Sequence, residues 1–311
     1  MQPDKPSPAN RIRPDSFAAV IRAFQSSPFY RTLAPGTQSN YARAFRIAET
    51  HEGLGGINVA EMRPALVQAF LDAMAEDAPG AAKGARVALS SLESWALVRD
   101  MLPRAIMTGT SVAHREQGHQ PWTLEQVALA ESHADADLAR AVTLAVNTGQ
   151  RGSDLIRMRR GHIQRNGGRL GITVTQQKTG RTLWVPFTAT FATVVDGWPR
   201  AAPDYLLLNR GEPYTRQLLS CHWTRERDTN QALAPLSGLT LHGLRATAVT
   251  RARRDGLTDL QISNLYGMSE QMVARYSKLA DQTDMALAAV ATLDRVASQR
   301  EQIKVLQFRR R

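Results

Sequence analysis

The stretch LHGLRATAVTRARRDG, residues 241–256, is typical of a basic helix with two cationic side chains near its start. His242 and Arg245 are three positions apart, so a helix projects the imidazole and the guanidinium in the same direction. Three further arginines follow before Gly256 ends the helix: Arg251, Arg253 and Arg254. A histidine near a helix start is more often structural than catalytic. The meaning of this stretch therefore depends on the residues around it.

Two shorter helices are predicted after this one, separated by glycines. Thr258 and Gln261 have the spacing of a capping box, which opens a helix that Gly267 ends. Ser269 can cap the next helix, which carries Tyr276. The chain therefore places a tyrosine on the third of three successive helices in a basic context.

Two motifs upstream add charged groups. In TGQRGSD, residues 148–154, Arg151 and Asp154 lie at i and i+3, so both side chains face the same way. By itself this pair is typical of a surface ion pair. The segment GITVTQQKTGRTLWVPF, residues 171–187, alternates apolar and polar residues around a Thr-Gly turn and predicts a β-hairpin with Lys178 at its tip.

The charge balance points to a polyanionic partner. The 311 residues carry 39 Lys plus Arg against 28 Asp plus Glu, a net charge of +11, which favours nucleic acid. A membrane partner is disfavoured, because the chain has no apolar run of membrane-spanning length and no apolar signal-peptide core, so a cytoplasmic, nucleoid-associated location is expected. The single Cys221 and its neighbour His222 lack the spaced partners of a zinc site, so no metal is expected.

The periodicity predicts two domains. Helical stripes such as Phe17, Val20, Ile21 and Phe24 fill the first third of the chain, and Asn58 with Glu61 has capping-box spacing for a third helix there. A stretch with many turn formers follows at 103–121. The expected organisation is a flexible lead-in at 1–14, a helical domain at 15–115, a mixed domain at 120–283, and a C-terminal helix with a basic tail at 284–311.

In this order the motifs resemble the tyrosine recombinases, or phage-type integrases. The resemblance rests on TGxRxxD, a hairpin lysine, HxLR, a glycine-led turn and then a tyrosine on a helix. It implies a mainly α fold with a small β-hairpin or sheet, in which a helical core-binding (DNA-binding) bundle precedes a mixed α+β catalytic domain. It implies site-specific DNA recombination, used for integration or excision of a mobile element. Its catalytic residues would be Tyr276, Arg151, Lys178, His242 and Arg245, with Asp154 in support.

The chemistry explains these residue types. Charge develops on the oxygens of a phosphodiester under attack, and two planar guanidinium groups can stabilise it without a metal ion. By resemblance, Tyr276 forms a 3′-phosphotyrosine intermediate, Lys178 protonates the departing 5′ oxygen, and His242 assists proton transfer at the tyrosine. No ATP, divalent ion or other cofactor is implied. The three arginines at the end of the 241–256 helix are predicted to contact DNA.

The stretch between the two tyrosines departs from the family. Tyr266 has Ile262 four positions earlier, a spacing that suits core packing, so Tyr276 is preferred as nucleophile. Met268 occupies the position where the family usually has His or Trp, and it offers no N–H donor. Either the site works with one donor fewer, with Ser269 as a possible substitute, or activity has decayed and DNA binding survives. The first alternative is favoured because the other five catalytic groups are retained.

Partners follow from the same resemblance. Double-stranded DNA target sites are expected, with a homo-tetramer on two duplexes and an accessory directionality factor. The C-terminal tail either passes to a neighbouring protomer or packs on its own chain. Two other functions stay open: a catalytically silent DNA-binding protein on this fold, and a helix-turn-helix regulator built from residues 242–276. The regulator leaves Lys178 and Arg151 unexplained.

Overall fold

A computed structural model describes residues 12–113, 118–200 and 204–277, and residues 286, 289, 290 and 293–297. The chain divides into two compact units, Met1–Gln117 and Gly118–Arg311. Most of the predicted lead-in at 1–14, and most of the predicted C-terminal helix and basic tail at 284–311, lie outside the described residues. None of the described helices is long and apolar enough to cross a membrane.

The first unit is helical where it is described. Its helices are α1 (Phe17–Ser26), α2 (Pro28–Thr32), α3 (Pro35–Thr50), α4 (Pro64–Asp77) and α5 (Pro79–Leu97), and a 3₁₀ turn spans His51–Gly56. The predicted stripe of α1 is fully buried: Phe17, Val20, Ile21 and Phe24. Ser16 caps this helix by accepting the Ala19 N–H at 3.3 Å. The apolar period of the sequence thus determines which face of α1 enters the core.

The prediction of a capping box at Asn58 and Glu61 is wrong. Helix α4 begins only at Pro64, after Arg63 in an extended conformation. Proline suits a first helical position because its φ is already helical and its missing N–H has no partner there. The Asn58 side chain instead accepts the Ala60 N–H at 2.9 Å, which closes a local turn before the helix.

The second unit combines helices with two small sheets. Its helices are α6 (Leu124–His133), α7 (Ala136–Thr148), α8 (Gly152–Leu155), α9 (Ala189–Asp196), α10 (Arg216–Thr229), α11 (Gly243–Arg254), α12 (Asp259–Tyr266) and α13 (Glu270–Ser277). The strands are β1 (Ile163–Asn166), β2 (Arg169–Thr175), β3 (Thr182–Pro186), β4 (Leu208–Asn209) and β5 (Glu212–Pro213). The three-stranded sheet is antiparallel in the order β1-β2-β3, and β4 pairs with β5.

The predicted hairpin is confirmed as β2 and β3. Ile172 pairs with Val185 and Val174 with Leu183, and all four side chains are buried. Alternation therefore sends one face of the hairpin into the core and leaves the turn at 176–180 projecting from it. The fold prediction, mainly helical with a small antiparallel sheet, is confirmed as well.

Local caps and one close contact fix the helices that carry the predicted site. Thr123 and Gln126 form a capping box at α6, and the capping box predicted for Thr258 and Gln261 is confirmed at α12. At the start of α11, a Cβ on Gly243 would lie 2.2 Å from the Gln120 carbonyl oxygen and 3.0 Å from the Trp122 ring. Only glycine allows this approach, so the first turn of α11 is held against the segment before α6.

Candidate active site

Three segments of the second unit carry the predicted residues. Arg151 precedes α8, His242 is the residue before α11, Arg245 lies in the first turn of α11, and Tyr276 lies in α13. Gly149 ends α7 with a φ of 62°, a left-handed conformation that glycine adopts without strain. The chain therefore turns sharply just before Arg151 and directs that residue toward α11.

Arg245 is the central buried cation of the group. Its side chain is 2% exposed and donates from Nη1 to the Gly149 carbonyl oxygen. Burial, and then the positive charge of Arg151, lowers the pKa of Arg245 to about 10, while Tyr276 and Asp154 oppose this shift. The guanidinium therefore stays charged at neutral pH, with the Tyr276 phenol beside it.

Arg151 and Asp154 each carry a buried polar atom that no other described residue satisfies: Nη1 of Arg151 and Oδ2 of Asp154. Asp154 is 1% exposed, and its Oδ1 accepts the backbone N–H of Gln177 at 2.8 Å. Asp154 thus ties the turn after α7 to the base of the Lys178 loop. The unsatisfied Arg151 donor is the kind of group that binds an anion.

His242 is held neutral by its surroundings. Burial, then the charges of His119, Arg245, Arg151 and Arg216, lowers the pKa of His242 to about 4. The His119 ring packs edge-on against the His242 ring at 4.6 Å between centroids, and His119 Nδ1 lies 2.8 Å from Thr240 Oγ1. The imidazole is therefore neutral at neutral pH and can accept a hydrogen bond or a proton.

The two tyrosines have different environments. Tyr266 is 3% exposed and donates its hydroxyl to the Ala248 carbonyl oxygen at 3.4 Å, and burial raises its pKa. The prediction that Tyr266 packs in the core is confirmed. Tyr276 is 8% exposed and faces Arg245 instead. Of the two phenols, only that of Tyr276 interacts with the cluster of predicted catalytic residues.

Lys178 does not join this cluster. It lies exposed at the tip of the β2–β3 turn, and Gly180 completes the turn with a φ of 68°. A long ammonium side chain at an exposed tip can reach a bound substrate that the protein alone does not present to it. Its position leaves the predicted role open.

Met268 is buried in an apolar cluster with Tyr266, Val273 and Tyr276, and it is 4% exposed. Its carbonyl oxygen accepts the Ser263 hydroxyl at 2.6 Å and its N–H donates to the Ser263 carbonyl oxygen at 3.2 Å, so both groups of Ser263 fix the turn after α12. Ser269 is exposed and caps α13 by accepting the Met272 N–H at 3.4 Å. Its hydroxyl hydrogen is not used by that bond, so the prediction of Ser269 as a donor stays untested.

The arginines at the end of α11 have roles within the fold. Arg251 donates to the Val146 carbonyl oxygen at 3.2 Å, and Arg253 pairs with Asp259 at 3.1 Å. Arg254 is exposed. The structure does not test whether this helix contacts DNA, but it shows two of the three guanidinium groups holding α11 in place.

Sequence reasoning missed three groups close to the site. His119 was placed in a linker, yet it contacts His242. Arg216 lowers the pKa of His242 and lines a cleft of about 710 Å³ together with His119, Gly152 and Thr240. Gln176 is buried below the Lys178 turn. These groups come from distant segments, so no local motif marks them.

Solved structures with the same fold include a lambda integrase dimer bound to a COC′ core site, with a TM-score of 0.71 at 21% identity over 88% of this chain and 81% of that one. A lambda integrase tetramer bound to a Holliday junction matches with a TM-score of 0.69 at 21% identity, over 85% of this chain and 75% of that one. The Tn1549 transposon integrase in complex with transposon right end DNA matches with a TM-score of 0.66 at 16% identity, over 90% of this chain and 99% of that one. At these identities the likeness shows the fold.

No curated protein sequence matches the chain. The phage integrase family model matches residues 124–283, from the start of α6 past the end of α13. That range is more than half of the 311 residues and contains every predicted catalytic position. This protein therefore belongs to the phage integrase family, the tyrosine recombinases.

Proposed function

We propose that this protein is a site-specific DNA recombinase that cleaves and rejoins strands through a 3′-phosphotyrosine intermediate. The observation that carries the proposal is the cluster around Arg245, in which Arg151 acts on both His242 and Arg245, and the phenol of Tyr276 interacts with Arg245. Two guanidinium groups, a neutral imidazole and a phenol are the groups that metal-independent attack on a phosphodiester requires.

The electrostatics of the cluster favour an anionic substrate. Arg151 lowers the pKa of the buried Arg245, which means that the two positive charges destabilise each other. A phosphodiester between them removes this repulsion and gives the buried Arg151 Nη1 an acceptor. The net charge of +11 adds a general attraction to DNA.

The proposed reaction gives each of these groups one role. The Tyr276 oxygen bonds to phosphorus while the bond from phosphorus to the 5′ oxygen breaks. The phenol proton passes to His242, and the ammonium of Lys178 gives a proton to the departing oxygen. The products are a 3′-phosphotyrosine and a free 5′ hydroxyl, and attack by another strand's 5′ hydroxyl reverses the step and rejoins the DNA. Asp154 orients the Arg151 turn and the Lys178 loop.

The biological setting is proposed from the neighbours. Lambda integrase is seen as a dimer on a core site and as a tetramer on a Holliday junction, and the Tn1549 integrase is seen on transposon DNA. Four protomers of this chain would correspondingly exchange strands between two duplexes, for integration or excision of a mobile element. An accessory factor would set the direction.

Covalent capture tests the enzyme without a known target. A pool of nicked duplexes with a randomised half-site is incubated with the protein, and complexes that survive SDS are retained, amplified and sequenced. The wild type should enrich one sequence. Tyr276→Phe should retain no DNA, whereas Tyr266→Phe should retain it. The opposite result for the two tyrosines would overturn the assignment of the nucleophile.

A catalytically silent DNA-binding protein is the second candidate, and the buried Met268 favours it. The side chain at this position is enclosed by apolar neighbours and presents no donor to a phosphate. If this candidate holds, the wild type shifts duplex DNA in a native gel yet enriches no covalent complex over successive rounds.

A further inference from the structure

Two buried glutamines lie directly behind the candidate site. Gln150 is 2% exposed and Gln176 is 0% exposed. Gln150 is adjacent to Arg151, and Gln176 is two residues before Lys178. Buried amides are costly unless every donor and acceptor is satisfied, so their bonding partners show what they hold together.

All the amide groups of the pair are satisfied. Gln176 Nε2 donates to Gln150 Oε1 at 2.8 Å and to the Tyr266 carbonyl oxygen at 3.1 Å. Gln150 Nε2 donates to the same carbonyl oxygen at 3.1 Å and to that of Thr148 at 3.0 Å. Thr179 donates its hydroxyl to Gln176 Oε1 at 3.0 Å. The glutamine clasp is defined here as Gln150, Gln176 and the Tyr266 carbonyl group.

The clasp joins three segments that carry catalytic groups. Gln176 also closes the Lys178 turn with its backbone, because its N–H donates to Arg181 and its carbonyl oxygen accepts the Gly180 N–H. The Tyr266 carbonyl group lies at the end of α12, one residue before the turn that leads to the helix of Tyr276. The base of the Lys178 loop, the Arg151 turn and the entry to α13 are thus bonded at one point.

Close packing leaves little room for these segments to shift. A Cβ on Gly267 would lie 2.8 Å from Gln176 Nε2, and one on Gly149 would lie 2.7 Å from the Tyr266 ring. Both glycines have a φ of 62°. The two turns therefore pack directly against the clasp, with no side chain between them to absorb a displacement.

We infer that Gln150 and Gln176 are positioning residues that set the Lys178 loop against the two phosphate-binding arginines. The inference rests on the proposed function. Lys178 is exposed and has no hydrogen bond or ion pair with the described residues of the cluster, so the base of its loop is what fixes its distance from a bound phosphate. Gln176 connects that base to Gln150, the neighbour of Arg151. Loss of the clasp should weaken protonation of the leaving oxygen more than the attack by Tyr276.

A change of leaving group separates these two effects. Cleavage of the normal phosphodiester needs a proton for the departing 5′ oxygen. When sulfur replaces that bridging oxygen, a thiolate leaves, and its conjugate acid has a pKa of only about 8.5, so it needs no proton. The rate of adduct formation is therefore measured on the oxygen substrate and on the sulfur substrate. Both substrates carry the half-site sequence recovered by covalent capture. Lys178→Ala gives the reference for loss of the acid.

Gln176→Met removes the amide with little change in volume. Its adduct formation on the oxygen substrate should slow by about tenfold to a hundredfold, as expected for a displaced general acid, and should stay near the wild-type rate on the sulfur substrate. DNA affinity should not change. The matched control is Gln177→Met, because Gln177 is the exposed neighbour and its side chain lies outside the clasp.

The double variant Gln150→Met/Gln176→Met guards against misfolding, because replacing both partners leaves no unpaired amide at either position. It should show the same leaving-group dependence. Equal slowing on the two substrates, or no slowing on either, would overturn the inference while the proposed function stands. If the wild type forms no adduct on either substrate, the proposed function itself fails and the inference fails with it.

Discussion

Gly149→Ala should destabilise the second unit strongly. The added Cβ would lie 2.7 Å from two atoms of the Tyr266 ring, a separation that real Cβ contacts almost never show. Overpacking of this kind costs about 1–3 kcal/mol. The φ of 62° adds about 1–2 kcal/mol, because L-residues avoid the left-handed region. The sum, about 2–5 kcal/mol, is a large part of the 5–15 kcal/mol or so that stabilises a typical domain.

Gly167→Ala is the matched control for backbone strain. Gly167 has a φ of 54°, and nothing lies within 4 Å of the position that a Cβ would occupy. This variant should therefore lose only about 1–2 kcal/mol. Urea unfolding followed by tryptophan fluorescence measures the stability of both variants, since four of the five tryptophans lie in the second unit: Trp122, Trp184, Trp198 and Trp223. If the two alanine variants lose equal stability, the close packing of Gly149 on Tyr266 is refuted.

Three further predictions test the site and its supports. In an NMR titration of labelled histidine, His242 should titrate near pH 4, and His119→Ala should raise that pKa. The imidazole of the unfolded chain titrates near pH 6.5, so the free energy of unfolding should fall as the pH drops from about 6.5 to 4. Met268→His should lower the free energy of unfolding by about 1–3 kcal/mol without faster adduct formation, because the new imidazole meets an apolar enclosure. Thr123→Ala should cost about 1 kcal/mol in urea unfolding through loss of the α6 capping box.

Local sequence rules predicted the features that depend on neighbours in the chain. The stripe of α1, the hairpin register at Ile172 and Val174, and the capping box at Thr258 all follow from spacing within one element. The box expected at Asn58 fails because Pro64 offers a better helix start a few residues later. Strand β1 also went unpredicted, because its short polar sequence alternates weakly and its pairing with β2 comes from the sheet.

The order of motifs predicted which residues meet, whereas the contacts between them lay beyond the sequence. Arg151, His242 and Arg245 are brought together as expected. The role of the Gln150 side chain could not be predicted, because its partners Gln176 and Tyr266 are 26 and 116 residues away. The bond from Arg251 to a carbonyl group of α7 likewise lay beyond the sequence, because the two groups are 105 residues apart.

The lowered pKa of His242 has a consequence for the proposed binding of a phosphodiester. Two of the groups that lower it, Arg151 and Arg245, are the groups that would bind the phosphate. A bound phosphodiester adds negative charge beside the same imidazole and so raises its pKa. In the proposed reaction, His242 would therefore be a stronger proton acceptor with substrate bound than without it. In the proposed reaction, the repulsion within the cluster thus makes proton acceptance by His242 depend on substrate binding.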